Sequence, residues 1–209
     1  MARLKVDGYQ TISAGILDPN QTIVVVVDMV KGFVSEGAMA DPEIARIAPE
    51  ICQLETYFAH HLYFQDWHEA DCMEFASFPP HCLAHTTESE LLDCFKEDAR
   101  HQTIIRKNST NGLLAPAFLD RIDAHVLPWK YFVITGCCTD ICVMQFALSL
   151  LAYLRQHDLN DKHILVPANC VDTYHQPDLH DAYASNEWAL RFMQQAGIQV
   201  VSKIELKEI

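Results

Sequence analysis

The sequence is poor in positive charge: fifteen Lys and Arg stand against twenty-eight Asp and Glu, a formal net charge of −13. A phosphate backbone is bound through a basic footprint, so this balance argues against a nucleic-acid partner and leaves solubility as the role of the acidic residues. Long apolar runs are missing too. With no stretch of eighteen or more apolar residues, no membrane span is expected. The N-terminal MARLKVDGYQ lacks the apolar stretch and small-residue cleavage site of a secretory signal, and the expectation is a cytoplasmic protein. No repeat, low-complexity segment or linker interrupts the chain, which sets up a single domain over residues 1–209.

No CxxC pair occurs among the eight cysteines, Cys52, Cys72, Cys82, Cys94, Cys137, Cys138, Cys142 and Cys170. A zinc knuckle is therefore not expected. The chain is also too large to need disulfide staples, and free thiols are the reading.

What the sequence does have is a rhythm. Apolar, β-rich runs at 22–27, 61–65, 103–106, 131–135, 163–166 and 198–202 alternate with helix-like segments at 42–60, 89–96, 116–123, 140–156 and 179–195. Runs that are apolar throughout, rather than at every second residue, predict strands buried on both faces. The expected architecture is α/β: a three-layer α/β/α sandwich with a mostly parallel, six-stranded, Rossmann-like sheet. Ligands bind beyond the carboxyl ends of such strands, so the polar residues that follow each run matter: Asp28, Asp66 with His68, Lys107, and GCCTDIC after Thr135.

Within YFVITGCCTDICVMQFALSLLAYL, the spacing predicts a strand, a Gly-containing turn and a helix with Thr139 or Asp140 as N-cap. Cys142 then falls in the first helical turn, where free backbone N–H groups favour a thiolate and offer an oxyanion hole. Position alone leaves two readings, nucleophile or ordinary buried thiol. Cys137 and Cys138 read as structural. Asp28 and Lys107 each have a plain role as a strand-end residue, but three strand ends supplying Asp, Lys and Cys form a more specific pattern, that of an activated nucleophile.

FQDWHEADCMEFASFPPHC is a long polar loop that carries Asp66, His68, Glu74 and His81. Asp-x-His and two later donors could close a site around a divalent ion; a chance cluster in a polar loop is the alternative.

With these residues in place, the chain resembles the isochorismatase-like cysteine hydrolases, and within them the nicotinamidases. VVVVDMVKGFV is similar to that family's first strand and catalytic Asp, IIRKNSTNG to its Lys segment, and GCCTDICV to its Gly-x-x-Thr-Asp-x-Cys-Val signature. The resemblance implies the isochorismatase-like fold and a triad of Asp28, Lys107 and Cys142. It also implies a cis peptide between Cys137 and Cys138 that turns the Cys138 N–H into the oxyanion hole. It further implies a metal set of Asp66, His68, Glu74 and His81, with Glu74 where many relatives have His. Zinc, iron or manganese suits those donors, and no organic cofactor is implied. Phe33 and Phe78 correspond to the aromatic walls around a pyridine ring, with core packing as their alternative.

His85 stands where relatives have Gly and is expected at the pocket rim. The remaining histidines, including His60, His61 and His180, read as surface or cap residues, and Tyr174 and His175 as pocket-lining, subunit-contact or turn residues. The implied reaction is hydrolysis of a small amide, nicotinamide to nicotinate, through a cysteine thioester. Carbamoyl or ureido substrates, isochorismate, or a non-catalytic binding role on the same fold are the alternatives. Homo-oligomers, dimers or tetramers, are common in the family.

Overall fold

The computed structural model describes residues 8–99 and 101–206. Residues 1–7, which carry most of the N-terminal segment read above, lie outside that range. The strands are β1 (Ile12–Ser13), β2 (Thr22–Val27), β3 (His61–Asp66), β4 (Thr103–Lys107), β5 (Tyr131–Cys137), β6 (His163–Pro167), β7 (Val171–Asp172), β8 (Gln199–Val201) and β9 (Ile204–Glu205). The helices are α1 (Lys31–Val34), α2 (Ala48–Tyr57), α3 (Asp93–Ala99), α4 (Pro116–Leu119), α5 (Ile122–Val126), α6 (Met144–Gln156) and α7 (Ala182–Ala196).

Six strands form a parallel sheet in the order β4-β3-β2-β5-β6-β8. These are the six apolar runs of the sequence. The two-residue β7 pairs with the end of β5 and makes a seventh strand, while β1 and β9 pair separately. Both additions are two residues long, too short to leave an apolar run in the sequence.

The valine run of β2 shows how the layers arise. Ile23, Val25 and Val27 pack on one face with Phe146 and Leu150 of α6, Leu190 and Met193 of α7 and Phe118 of α4. Val24 and Val26 pack on the other with Ile51 and Leu54 of α2 and Phe95 of α3. Alternate residues of a strand point to opposite faces, so a run apolar throughout feeds two cores, each fully buried side chain contributing about 1.5–3 kcal/mol.

The helix-like segment 42–60 divides into a 3-10 turn, Pro42–Ile47, and α2. Pro49 sits in the first turn of α2, where its missing N–H leaves no bond unmade. The last helix begins at Ala182 rather than Leu179, because the Asp181 carboxylate caps the Ala184 N–H, and it ends at Gly197 in the left-handed region at φ 110°.

Strand order reverses between β2 and β5, and there the carboxyl ends open a crevice. Val27 pairs with Gly136. A Cβ on Gly136 would stand 2.0 Å from the Val27 carbonyl oxygen, so this position demands glycine on space as well as on its φ of 105°. That close approach sets Asp28, which follows β2, against Cys137, whose thiol donates to the Asp28 carbonyl at 3.1 Å.

Candidate active site

Asp28, Asp66 and Lys107 arrive together by strand register. Asp66 and Lys107 are paired residues at the ends of β3 and β4, and Asp28 follows β2 on the other side of β3, at φ 50°. Lys107 is fully buried. Its Nζ lies 2.8 Å from Asp28 Oδ2 and 2.7 Å from Asp66 Oδ1, and donates to Cys142 Sγ at 3.7 Å. A buried cation needs partners, and here one ammonium holds two carboxylates and a sulfur.

The Asp28–Lys107 contact is close but not aligned as a hydrogen bond, and both Asp28 oxygens are buried without a hydrogen-bond partner. Burial pushes the Asp28 carboxyl up to about 6, against the pull of Lys107 and with a further push from Asp66. Asp66 behaves oppositely: although burial pushes it up, Lys107, His68 and His81 together hold it below the ordinary carboxylate range. Burial keeps the Cys142 thiol well above its usual value despite Lys107, so the resting sulfur carries its proton. Cys142 is also a polar neighbour of Asp28.

Cys142 does lie at the start of a helix, but of an unexpected kind. Thr139–Val143 is a π-helical turn that runs into α6 at Met144, and Cys138 is its N-cap, with no side chain capping it. The expected cap, Asp140, instead accepts from Thr173 Oγ1 and faces His180 Nε2, each at 2.7 Å. The Cys137–Cys138 peptide is cis, as the resemblance implied.

Asp66, His68, Glu74 and His81 offer four donor atoms within 4.8 Å of one another. The Nδ1 of His68 faces Asn108 Oδ1 at 3.1 Å, and the Nδ1 of His81 faces the Pro79 carbonyl at 2.8 Å. With Nδ1–H donated outward, both Nε2 lone pairs turn inward. They stand 3.0 and 3.3 Å from Asp66 Oδ2, and His68 Nε2 is buried without a hydrogen-bond partner. Lone pairs converging on a carboxylate repel unless a proton or cation lies among them. The four residues therefore fit a divalent ion, and the expected donor set is assembled in full.

Beside this cluster is a cleft of about 270 Å³, lined by Phe33, Phe78, Thr110, Ile141, Cys138 and Cys142 among others. Phe33 and Phe78 both line it, and Phe33 also packs in the core. Its aromatic lining suits a flat ring.

The isochorismatase domain family matches residues 22–205. The chain belongs to that family. Nicotinamidase 1 of Arabidopsis thaliana is 30% identical to it, with 88% of this chain and 86% of the relative covered. Among solved structures, the pyrazinamidase of Pyrococcus horikoshii in complex with zinc superposes with a TM-score of 0.69 at 24% identity, covering 87% of this chain and 98% of that one. PnC1 from L. infantum in complex with nicotinate superposes with a TM-score of 0.71 at 16% identity, covering 91% and 98%. The family's three-layer α/β fold is the one described above.

Within this family member, several sequence expectations need correction. His85 is not at the rim. It takes φ 64°, and its ring meets Trp67 edge-on at 5.0 Å, while Arg106 lies over the same indole at 3.8 Å. His61 is a buried strand residue, and His180 is no surface histidine. Tyr174 stacks on His180 at 4.1 Å, so it braces the loop after β7 instead of lining the cleft. Sequence reasoning also missed Asn108, which orients His68, and Phe75, whose ring meets those of His68 and His81 at 5.3 and 5.7 Å. Asn108 directly follows Lys107, and a polar residue at a strand end was the available signal. Thr110 was missed as well; its hydroxyl donates to Gln145 Oε1 at 2.8 Å.

Proposed function

We propose that this protein is an amidohydrolase that converts nicotinamide to nicotinate and ammonia through a thioester on Cys142. The observation that carries this reading is the single buried ammonium of Lys107, which touches a raised-pKa carboxylate, the thiol and a donor of the metal cluster at once.

Asp28, ionised above about pH 6, takes the Cys142 proton, and the sulfur attacks the amide carbonyl. Lys107 stabilises the thiolate by charge. The backbone N–H groups of Cys138 and Cys142 hold the oxyanion of the tetrahedral intermediate. Asp28 returns the proton to nitrogen, the C–N bond breaks and ammonia leaves. Asp28 then deprotonates water, which attacks the thioester and releases the acid with the thiol restored.

Phe33 and Phe78 flank the ring and exclude water around it. When bound by Asp66, His68, Glu74 and His81, a zinc, iron or manganese ion supplies a Lewis acid for the ring nitrogen. The reading extends to one domain over residues 1–209, acting in the cytoplasm as a homodimer or homotetramer. Among the described residues, no helix is long and apolar enough to cross a membrane.

Ammonia release from nicotinamide, pyrazinamide and ureido compounds, with and without chelator and with Cys142→Ala as blank, tests the assignment. Release from nicotinamide that needs both Cys142 and metal is expected. Equal release by the Cys142→Ala protein, or turnover of the ureido compounds alone, would remove the proposal.

A further inference from the structure

Of the eight thiols, Cys142 is the proposed nucleophile and five others are buried; the remaining pair, Cys52 and Cys94, lies at the surface on α2 and α3. Cys94 is exposed and Cys52 half-buried, whereas Cys72, Cys82, Cys137, Cys138, Cys142 and Cys170 are all buried. Helices α2 and α3 pack on each other, with Ile51, Leu54 and Phe95 in one core, and the Cys52 and Cys94 side chains are neighbours across that seam. We propose that Cys52 and Cys94 form a redox-active dithiol that closes to an intramolecular disulfide by exchange with low-molecular-weight disulfides.

Three properties support this. Contact is already made, so the two sulfurs need no large movement to meet. Accessibility is unequal: a reagent from solvent reaches Cys94 first, with Cys52 behind it. Reactivity is unequal in the same sense, because the neighbouring Cys52 draws the Cys94 pKa down to about 7, while Cys52 itself is raised. At neutral pH a large fraction of Cys94 is then thiolate, near the optimum for attack on a disulfide.

In the first step the Cys94 thiolate attacks one sulfur of the small disulfide RSSR. The S–S bond breaks, RS⁻ leaves, and a mixed disulfide remains on Cys94. Cys52 then gives its proton to solvent and attacks the Cys94 sulfur, expelling the second RS⁻. Two protein thiols lose two electrons and two protons, and RSSR gains them as two RSH.

The consequence follows from what lies between the two cysteines. The segment they enclose carries Asp66, His68, Glu74, Phe78 and His81, the whole candidate metal cluster and one wall of the cleft. Closing that segment restricts the unfolded chain and ties α3 to α2 beneath the loop.

The full-length protein, as purified with its metal, is incubated in glutathione buffers of increasing oxidised fraction, quenched with an alkylating agent and digested for mass spectrometry. The expected result is a Cys52–Cys94 linked peptide pair and an intact mass lower by two hydrogens, with the buried thiols other than Cys142 alkylated only after denaturation. Cys52→Ser should instead accumulate a glutathione adduct on Cys94, and Cys94→Ser should yield neither species. The oxidised protein should melt higher by roughly 5–10 °C. A persistent glutathione adduct on wild-type Cys94, oxidation at other cysteines while this pair stays reduced, no oxidation at any ratio, or a lowered Tm on closure would each overturn the proposal.

Discussion

The proposed triad and the candidate metal cluster adjoin each other but are built in opposite ways. Asp28, Lys107 and Cys142 are far apart in sequence and are brought together by β2, β4 and β5, whose registers leave little freedom. Asp66, His68, Glu74 and His81 come from one strand end and the loop after it, and meet through local turns. The triad is electrostatically supported without a ligand, because Lys107 faces both carboxylates. The cluster turns two imidazole Nε2 atoms on one carboxylate and leaves a buried His68 Nε2 without a hydrogen bond, so it is shaped for a cation. In the proposed enzyme, preorganisation by the sheet thus places the triad, and the loop supplies a candidate ion site. Asp66 belongs to both.

If the two regions are separable, Cys142→Ala and His81→Ala should fail differently. Cys142→Ala should lower ammonia release by at least about 10⁴-fold, because removing a covalent nucleophile leaves only binding and the oxyanion hole. Metal content by elemental analysis should be unchanged. His81→Ala should lose metal yet keep a thiol that reacts with an electrophilic amide at the wild-type rate. Metal loss in the Cys142→Ala protein would collapse the distinction.

Lys107 is where the comparison ought to break. Lys107→Met leaves two buried carboxylates without a cation, and removing one partner of a buried charge set costs about 3–5 kcal/mol. Urea unfolding should report a loss of that size at pH 8, and turnover should fall by roughly 10²–10⁴-fold as the thiolate and Asp28 lose their counter-charge. Stability within 1 kcal/mol of wild type, on the scale of a surface pair, would show that Lys107 is not the joint.

The difference between the regions also explains what the sequence made legible. The six long strands are readable because both faces of each are buried, and Asp28, Lys107 and Cys142 are readable because strand ends are where such sheets bind ligands. The metal donors are readable from their types in one loop. By contrast, the π-helical turn at Thr139–Val143 carries no composition signal, and Asp140 reads as an N-cap because nothing local announces its partners Thr173 and His180. His85 misled because its partner, Trp67, lies at the loop start and is itself covered by Arg106 of β4. Long-range side-chain pairing is the part that spacing does not encode.

A smaller effect is expected from Asn108, the residue that fixes the His68 ring from outside the cluster. Asn108→Ala frees the Nδ1 side, and such outer partners are worth about 10–100-fold in metal affinity. Competition with a chelating dye should show a weakening in that range, with thiol reactivity at Cys142 unchanged. An unaltered affinity would mean that Cys72, whose sulfur lies 3.4 Å from the same nitrogen, is sufficient to hold the ring.

The smallest expected change in stability separates catalysis from stability at one triad residue. Burial disfavours the ion and pushes the Asp28 pKa in the folded protein up to about 6, above the ordinary aspartate value of 3.8. As the base it must be ionised, so kcat/KM should be flat above about pH 7 and fall tenfold per unit below 6. The sign for stability is the reverse. A raised folded pKa means the fold prefers the protonated carboxyl, so the ionised form destabilises above pH 6, and this penalty fades as pH falls from 6 toward 3.8. Asp28→Asn, which keeps Lys107 paired with Asp66, should therefore abolish activity yet stabilise the protein at pH 8 by on the order of 2 kcal/mol, with the advantage gone near pH 4. Denaturant midpoints across that range check it. A variant less stable than wild type at pH 8 would mean that the Lys107 attraction outweighs burial, and that the triad, like the cluster beside it, is held by its charges.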